Sequence, residues 1–423
     1  MFRKRPPLPP SLNICLVAYR FQILSRSSDA GFLWPIARGL AKLGHKVTII
    51  STKSPLGKAE VQRDGVRAYF LHEGSKNTSH INFQVAARNK FLQLHKESPF
   101  HLVHSLDAAG LRIAKLKDDL KFAMAYDVEA IQMSQLFSIL GMRQETLGSM
   151  LTTSIAVAYK FLTTFYGSDR KILKSADGMF VTNPQQRIIL ERYYLYPDLS
   201  IYQVPYGLEI GNLAASEKST ELRQKLQIPS NAFVATTVSE MTDVGELRYV
   251  LRAFEKVAIK KPNAYLLIIG NGPAFKEIEF QVLQLALGSR ALMVGAVSPT
   301  ELPDYISAGD LFINMSSRTT GFEPSSIEAM AQKKVLIGSE VSPLAHIVED
   351  GQDGFLVRPA DVESMAQLMI EAFSGSLPTQ EIGERARQKV IDTFNTQKML
   401  DAVLGAYLKI LLNSGRFVRR AKT

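Results

Sequence analysis

The sequence contains one cysteine, Cys15, so no disulfide framework can hold the chain together. Cys15 lies in the apolar stretch 13–18, where we predict a core residue in a chain suited to a reducing compartment. No uninterrupted apolar run reaches the ~18 residues that a membrane-spanning helix needs. Residues 1–10 are basic and proline-rich and lack the apolar segment of a secretory signal. We therefore expect neither a secreted disulfide-rich protein nor an integral membrane protein.

Motifs of several other functional classes are also missing. The seven histidines and the cysteine show no zinc-ligand spacing, and the chain has no P-loop, nucleophile elbow or RNA-binding aromatic pattern. We therefore predict no metal site and no nucleic-acid partner. The net charge of +10 favours an anionic partner, such as a membrane surface, an acidic glycan or a nucleotide, or else serves solubility alone.

The 423 residues, of which 46% are hydrophobic, suffice for two domains with substantial cores. In the amino-terminal half, apolar strands alternate with helical stretches, which is typical of a mostly parallel sheet covered on both faces. We predict strands at 13–18, 46–51, 65–71, 102–104, 121–126, 179–182 and 201–204, and helices at 32–43 and 83–96. The nearly apolar stretch 150–166 indicates a buried helix or, alternatively, a membrane-facing or partner surface.

The carboxyl-terminal half alternates in the same way. We predict strands at 233–239, 264–269, 291–294, 310–314 and 335–338, and helices at 247–260, 327–332, 364–373, 381–394 and 396–412. Its stretch 314–342 runs from a strand through a Ser/Thr/Gly loop into a short helix and the next strand, and open α/β sheets bind ligands at the carboxyl ends of such strands. We predict that Ser325 or Ser326 caps this helix, whose start attracts anions, and that Glu328 faces the same crevice.

The stretch 314–342 resembles the nucleotide-sugar signature of family four glycosyltransferases, which are retaining enzymes with the two-domain GT-B fold. Similarity to that family continues at 37–47, 204–208, 268–273 and 350–357, in the family's order. The resemblance implies an α/β protein with two Rossmann-like doubly wound parallel-sheet domains that face each other across a cleft.

The resemblance and the element pattern together predict five segments. These are a mobile tail at 1–10, an acceptor-side domain at 11–210, a nucleotide-sugar-side domain at 211–395, a helix at 396–412 that crosses back to the first domain, and a basic tail at 413–423. The polar, small-residue stretch 209–219 is the predicted linker.

The resemblance also implies a set of site residues. Glu328, Glu323 and Tyr126 stand at or near catalytic positions of the family. The implied donor-binding residues are Gly270, Gly272, Pro273, Thr320, Gly321, Phe322, Ser325, Ser326, Glu328 and Glu240. The Gly-x-Gly turn at 270–272 would let the backbone approach a ligand closely, although without a third glycine it is not a dinucleotide fingerprint.

Several of these positions depart from the family. Glu240 and Gly245 stand where the family has an Arg and a Lys that hold the leaving diphosphate, and a cation lost 4 Å from a phosphate removes roughly 4 kcal/mol at an effective dielectric of 20. Thr320 replaces the glutamate that contacts the donor sugar, a role that Glu323 could take over. Ser342 and Pro343 replace paired glycines, and proline has no N–H to offer a phosphate.

The first domain shows two further departures. Tyr126 stands where the family has a histidine near the transferred sugar, and tyrosine, with a reference pKa of ~10, cannot act as that histidine at neutral pH. The family's glycine-rich first loop is 25–31 here and holds a single glycine. Five other cations either restore phosphate binding in part or are solvated surface charges: Arg318, Arg248, Arg252, Lys333 and Lys334.

Two hypotheses follow from this pattern. One is a degenerate glycosyltransferase whose scaffold serves binding, regulation or assembly with a protein partner. The other is an active retaining enzyme that transfers a sugar to a cell-surface glycan or a lipid-linked acceptor. Neither needs a cofactor beyond a nucleotide-sugar donor such as a UDP- or GDP-sugar. Both suit a cytoplasmic protein that is peripheral on the inner face of the cytoplasmic membrane, where the basic tail contributes charge.

Overall fold

The computed structural model describes residues 10–20, 33–52, 57–71, 80–106, 108–127, 159, 167–205, 207–208, 218–242, 244–298, 300–316, 324–341, 343–358 and 360–415. The chain divides into two compact units. Unit 1 comprises Met1–Gly207 and Thr396–Thr423, and unit 2 comprises Leu208–Asn395. Each unit is built around its own sheet.

The sheet of unit 1 has eight strands in the order β3-β4-β2-β1-β5-β6-β7-β8. They are β1 (Asn13–Arg20), β2 (Lys46–Thr52), β3 (Glu60–Arg63), β4 (Val66–Phe70), β5 (Leu102–Ser105), β6 (Ala123–Asp127), β7 (Gly178–Val181) and β8 (Ile201–Gln203). All neighbours pair in parallel except β3 and β4, which form an antiparallel hairpin at one edge. The prediction of a mostly parallel sheet is therefore confirmed, and β3 is the strand that it missed.

Helices cover this sheet. The described ones are α1 (Leu33–Lys42), α2 (His80–Glu97), α3 (Leu111–Ala114), α4 (Lys117–Leu120), α5 (Ser168–Ser175) and α6 (Pro184–Ile188). The helix α6 continues into a π-helical turn at Ile189–Tyr193. Cys15 lies in the core of this unit, where burial raises the pKa of its thiol.

The sheet of unit 2 has six strands, all parallel, in the order β11-β10-β9-β12-β13-β14. They are β9 (Phe233–Val238), β10 (Ala264–Ile269), β11 (Ala291–Gly295), β12 (Leu311–Asn314), β13 (Val335–Ser339) and β14 (Phe355–Val357). The helices are α7 (Lys218–Lys225), α8 (Gly245–Lys260), α9 (Phe275–Gln284), α10 (Leu302–Ser307), α11 (Pro324–Ala331), α12 (Val362–Phe373) and α13 (Thr379–Thr393). The strand order reverses between β9 and β12, which makes their carboxyl ends the expected ligand-binding edge.

The last helix, α14 (Thr396–Ser414), is part of unit 1 and packs on α1 and β6. Two glycines admit it, because a Cβ atom on Gly39 would lie 2.3 Å from Cδ1 of Leu400 and one on Gly178 would lie 2.5 Å from Cδ1 of Ile410. Contacts that short do not occur, so a larger residue at either position would force the Leu400 or Ile410 side chain to shift.

Candidate functional site

The carboxyl edge of the unit 2 sheet is where the described site residues collect. Strand β12 ends at Asn314, and helix α11 begins ten residues later at Pro324. The Asn314 side chain joins the two elements: its Nδ2 donates a hydrogen bond to Ser326 Oγ at 2.9 Å, and its Oδ1 accepts one from the Ser316 amide at 2.9 Å. This buried amide fixes the helix start against the strand end.

The start of α11 differs from the sequence prediction. The helix begins at Pro324, so Ser325 and Ser326 lie in its first turn and neither is the N-cap. Proline suits the first helical position because its missing N–H would have no intrahelical partner there. The amides of the first turn still lie at the positive end of the helix dipole, so the basis for attracting an anion is unchanged.

Glu328 lies one turn into α11 and is 3% exposed. All residues from Ser325 to Ala331 are buried, so this carboxyl group sits on a helix that is enclosed on every side. Buried glutamates are rare and costly unless their surroundings compensate for the lost water. The expectation that Glu328 faces the ligand-binding crevice stays a prediction.

The glycines of the turn after β10 contact the protein's own backbone. Gly270 has a φ of +129°, and a Cβ there would lie 1.8 Å from the Ser239 carbonyl oxygen. A Cβ on Gly272 would lie 2.1 Å from the Glu240 carbonyl oxygen. A hydrogen bond also joins this turn to the turn after β9: the Ala274 amide donates to the Met241 carbonyl at 2.9 Å. Close contact with the backbone of the turn after β9 thus explains why residues 270 and 272 are glycines. The next residue, Pro273, is exposed.

The turn after β9 carries Glu240, which is exposed. The next residue, Met241, is 1% exposed and has a φ of +47°, an uncommon conformation for a residue with a side chain. The buried Met241 side chain anchors the turn in the core of unit 2, while Glu240 stays at the surface. Gly245 is the first residue of α8. In the family that the sequence resembles, these two positions hold cations. Here Glu240 presents a carboxylate and Gly245 has no side chain.

The other cations named from the sequence lie in different places. Arg248 and Arg252 are exposed on the first two turns of α8, near this edge. Lys334 Nζ donates to the carbonyls of Ser307 and Gly309, which precede β12. Burial lowers the pKa of Lys334. Lys334 therefore lies at the amino end of the sheet, away from the carboxyl edge.

Lys333 also belongs to the amino end of the sheet, where it pairs with Glu384 of α13 at 2.5 Å. Several other predicted site positions lie outside the described residues: Thr320, Gly321, Phe322, Glu323, Arg318 and Ser342, together with the loop 25–31, the stretch 150–166 except Tyr159, and the linker residues 209–217. Pro343 is described and starts a turn of 3₁₀ helix in which Pro343 and Leu344 are buried.

In unit 1, Tyr126 is a core residue. Its side chain is fully buried among apolar neighbours, and its hydroxyl accepts a hydrogen bond from Ser175 Oγ at 3.3 Å. A side chain in this position has no surface from which to touch a sugar. The role suggested by the resemblance is thus at odds with the placement of Tyr126.

The opposite face of this sheet holds a polar cluster that the sequence did not indicate. His104 Nδ1 lies 2.7 Å from the Tyr407 hydroxyl, and the Phe180 ring stacks on the imidazole at 4.7 Å between centroids. Burial lowers the pKa of His104 to about 3, so the ring is neutral at ordinary pH. Burial and then the Asp127 carboxylate raise the pKa of Tyr407. The cluster ties α14 to the sheet; 303 residues separate His104 from Tyr407 in the chain.

Two features are absent from the described residues. No group of three or more His, Cys, Asp or Glu side chains in this part of the chain is arranged to hold a metal ion. No helix among the same residues combines the length and apolar character required to cross a bilayer.

Known proteins resemble both units. Sucrose-phosphate synthase from Thermosynechococcus elongatus superposes with a TM-score of 0.77 at 19% identity, over 94% of this chain and 98% of that one. HepE from Anabaena, in complex with UDP-glucose, superposes with a TM-score of 0.70 at 15% identity, over 93% and 98% of the two chains. At these identities the likeness concerns the fold, and the predicted fold is confirmed: the two units make a GT-B protein.

Sequence relatives agree. Residues 218–389 match the family model described as glycosyl transferases group 1. The N-acetyl-alpha-D-glucosaminyl L-malate synthase of Bacillus anthracis is 24% identical over 264 residues, which are 60% of this chain and 68% of that protein. An Escherichia coli UDP-Gal:alpha-D-GlcNAc-diphosphoundecaprenol alpha-1,3-galactosyltransferase is 22% identical over 264 residues, or 62% and 66%. The region that matches the glycosyl transferases group 1 family model lies within unit 2.

Proposed function

We propose that this protein is a group 1 glycosyltransferase homologue with a weakened donor-diphosphate site, which acts as a weakly active or non-catalytic binding or scaffold protein. The observation that carries the proposal is the turn after β9, where Glu240 is exposed at the carboxyl edge of the sheet. Together with Gly245 at the start of α8, it leaves the expected diphosphate position without either cation.

Electrostatics gives the size of the handicap. A missing cation at 4 Å removes roughly 4 kcal/mol at an effective dielectric of 20, and a carboxylate adds repulsion of similar size. About 4 kcal/mol corresponds to roughly a thousandfold in affinity. Of the candidate replacements among the described residues, Lys333 and Lys334 lie at the amino end of the sheet. Arg248 and Arg252 on α8 are the ones that remain near the carboxyl edge.

The test is isothermal titration calorimetry of the full chain with UDP-, GDP- and ADP-sugars. We expect Kd values in the millimolar range or no measurable heat, because the diphosphate lacks its two cations. Micromolar binding of any of these donors would refute a weakened site.

A restored site sharpens the test. The double variant Glu240→Arg/Gly245→Lys returns both cations, and we expect it to lower the Kd of the best-bound donor by about tenfold or more. Glu97→Arg/Gln62→Lys is a matched control, because both residues are exposed in unit 1 and the two changes alter the net charge by the same amount as Glu240→Arg/Gly245→Lys. Equal improvement in both proteins would indicate a general charge effect and not a repaired site.

The second candidate is an active retaining transferase for a cell-surface glycan or lipid-linked acceptor, and the placement of Glu328 favours it. This carboxyl group is 3% exposed on α11, and burying a carboxylate is costly unless its surroundings compensate for the lost water. The name of the Escherichia coli relative includes a diphosphoundecaprenol acceptor and a UDP-sugar donor. On this reading, Glu328→Ala abolishes donor hydrolysis or transfer; unchanged turnover in a folded variant would exclude it.

We further propose a cytoplasmic protein that associates peripherally with the inner face of the membrane. The net charge of +10 supports this location. Cell fractionation tests it: the protein should sediment with membranes at low salt and leave them when the salt concentration is raised. Retention in the soluble fraction at low salt would contradict it.

A further inference from the structure

Three histidines surround the amino end of β1, which lies near the middle of the unit 1 sheet. This strand pairs in parallel with β2 on one side and with β5 on the other. His45 is the residue before β2, and His101 is the residue before β5. The third, His95, lies in the last turn of α2, the helix that leads to β5. The three rings therefore share one end of the sheet, opposite its carboxyl edge.

Each of these rings accepts a hydrogen bond from a backbone amide through its Nδ1 atom. The pairs, with the donating amide first, are Leu12 with His45 at 3.1 Å, Asn13 with His101 at 2.9 Å and Phe100 with His95 at 3.2 Å. An Nδ1 atom that accepts a hydrogen bond carries no proton. Each ring is therefore held as the neutral tautomer whose hydrogen is on Nε2.

These hydrogen bonds fix the point at which the chain enters the sheet. The Asn13 side chain donates to the carbonyls of Ser98 and Pro99 at 3.0 and 3.1 Å, and the Asn13 carbonyl accepts from the His101 amide at 2.8 Å. Leu12 is 1% exposed and Asn13 is 7% exposed. Because water hardly reaches these residues, an amide that loses its imidazole here has no solvent partner to replace it.

The surroundings of the three rings disfavour a proton. Burial lowers the pKa of each imidazole below its ordinary value of 6.5. For His95, burial is followed by the Leu120 carbonyl, which raises the pKa, and by the His101 ring, which lowers it. Three phenylalanine rings also contact His95, with centroids 5.3 to 6.1 Å away. A proton is therefore favoured on these imidazoles only when they leave their amides.

Charged side chains at this end of the sheet belong to α1, β2, α2, α4 and the adjoining turns. The exposed ones are Lys42, Lys46, Arg63, Asp64, Lys96, Glu97, Asp118, Asp119 and Lys121. They carry both signs, and water and salt screen charges in such positions. The less exposed Lys117 and Asp177 pair with each other at 3.0 Å. Burial, and not one of these charges, is the main cause that lowers the pKa of each histidine.

We propose that His45, His95 and His101 form an acid-sensitive latch, the histidine latch, on the amino end of the unit 1 sheet. Protonation replaces a hydrogen-bond acceptor with an N–H group, so the backbone amides lose their partners and residues 11–13 and 98–101 open locally. A freed imidazole has its ordinary pKa of 6.5, so the open form gains protons and population as the pH falls below that value. The latch does not depend on whether unit 2 binds or turns over a donor.

Hydrogen–deuterium exchange of the full chain, followed by mass spectrometry, tests the histidine latch. Opening that frees one histidine becomes up to about tenfold more favourable for each pH unit below 6.5, and the factors multiply when one opening frees two. After correction for the intrinsic exchange rate, the protection of residues 10–16 should therefore fall at least about tenfold between about pH 7 and about pH 5.5. Residues 233–238, which form β9 in unit 2, should keep their protection within about twofold.

The variant His45→Asn/His101→Asn separates titration from structure. An asparagine oxygen lies close to the position of Nδ1 and accepts a hydrogen bond, but it is not protonated in this pH range. The fall in protection at residues 10–16 should shrink to less than about threefold, while protection at neutral pH is kept. His346→Asn replaces an exposed histidine of unit 2 and is the matched control, which should show the full fall.

Thermal transitions at neutral pH show whether the variants fold. If the double variant does not, the single variants decide, because each should remove about half of the fall on a logarithmic scale. The proposal is overturned if the unchanged protein protects residues 10–16 equally at both pH values, or if residues 233–238 lose as much protection. It is also overturned if the folded double variant keeps the full fall.

Discussion

Two polar residues near the strand ends of the unit 1 sheet differ in exposure from two that follow strands of the unit 2 sheet. In unit 1, His104 near the end of β5 and Asp127 at the end of β6 are fully buried, and His104 contacts Tyr407 of α14. In unit 2, Glu240 after β9 and Asn271 after β10 are exposed. Residue types that could do chemistry are thus core residues in the first case and surface residues in the second. Of these four, only the pair in unit 2 is exposed to solvent.

The prediction with the largest expected effect tests whether Gly270, at the carboxyl edge of the unit 2 sheet, is required by its contact with the protein's own backbone. Gly270→Ala places a Cβ 1.8 Å from the Ser239 carbonyl oxygen, at a φ of +129°. We expect the free energy of unfolding of unit 2 to fall by about 3 kcal/mol or more, because overpacking and backbone strain add. Differential scanning calorimetry measures the change.

Gly405→Ala is the control for Gly270→Ala. It introduces a Cβ with no atom within 4 Å and lies inside α14, so it should raise stability by up to about 1 kcal/mol. If Gly270→Ala left stability unchanged and altered donor binding alone, the glycine would serve the ligand and not the fold.

The second prediction concerns the buried cluster of unit 1. Tyr407→Phe leaves His104 Nδ1 buried without the hydroxyl that lies 2.7 Å away, and we expect it to cost about 1–3 kcal/mol. A double-mutant cycle with His104→Phe should give a coupling energy of about 1 kcal/mol or more, because both partners of one buried hydrogen bond are then removed. Additive costs would mean that the two side chains only fill space.

The third prediction uses pH. Burial lowers the pKa of His104 from its ordinary value of 6.5 to about 3. Between these pH values the unfolded chain binds a proton that the folded chain excludes. The free energy of unfolding is therefore highest above pH 6.5 and decreases as the pH falls toward 3. His104→Gln keeps an acceptor for Tyr407 but cannot be protonated. Between these pH values, urea denaturation should show a slope smaller than that of the unchanged protein by up to about 1.4 kcal/mol per pH unit. Parallel curves would contradict a neutral buried imidazole.

How far the sequence predicts the fold depends on where each signal lies. Apolar runs such as 264–269 and 310–314 identified strands because buried parallel strands are apolar throughout. The strand β3 was missed because three of its four residues are exposed and polar. The helix α11 starts earlier than predicted because Pro324 is a favourable first residue. The prediction took one of the following serines as the N-cap and so placed the start too late.

The site was predictable only in part, for a different reason. The family resemblance placed Glu328 and Glu240 along the chain, and the structure supplies their burial and exposure. The glycines at 270 and 272 carry a motif, but no local pattern reveals that the close contact is with residues 239–241. Likewise, the His104–Tyr407 contact joins strand and helix across 303 residues and has no local signature.

The smallest expected effect tests the distinction between the two edges of the unit 2 sheet. Lys333→Met breaks a pair with Glu384 in which both side chains are about half exposed (48% and 50%), so stability should change by less than about 0.5 kcal/mol. Lys334→Met leaves the carbonyls of Ser307 and Gly309 without their donor and should cost about 1–3 kcal/mol. Since both lysines lie at the amino end of the sheet, neither change should alter donor affinity in calorimetry. A tenfold loss of nucleotide-sugar affinity with Lys333→Met would place a diphosphate contact at the amino end of the sheet. It would contradict the argument that Lys333 lies too far from the carboxyl edge to replace the missing cations.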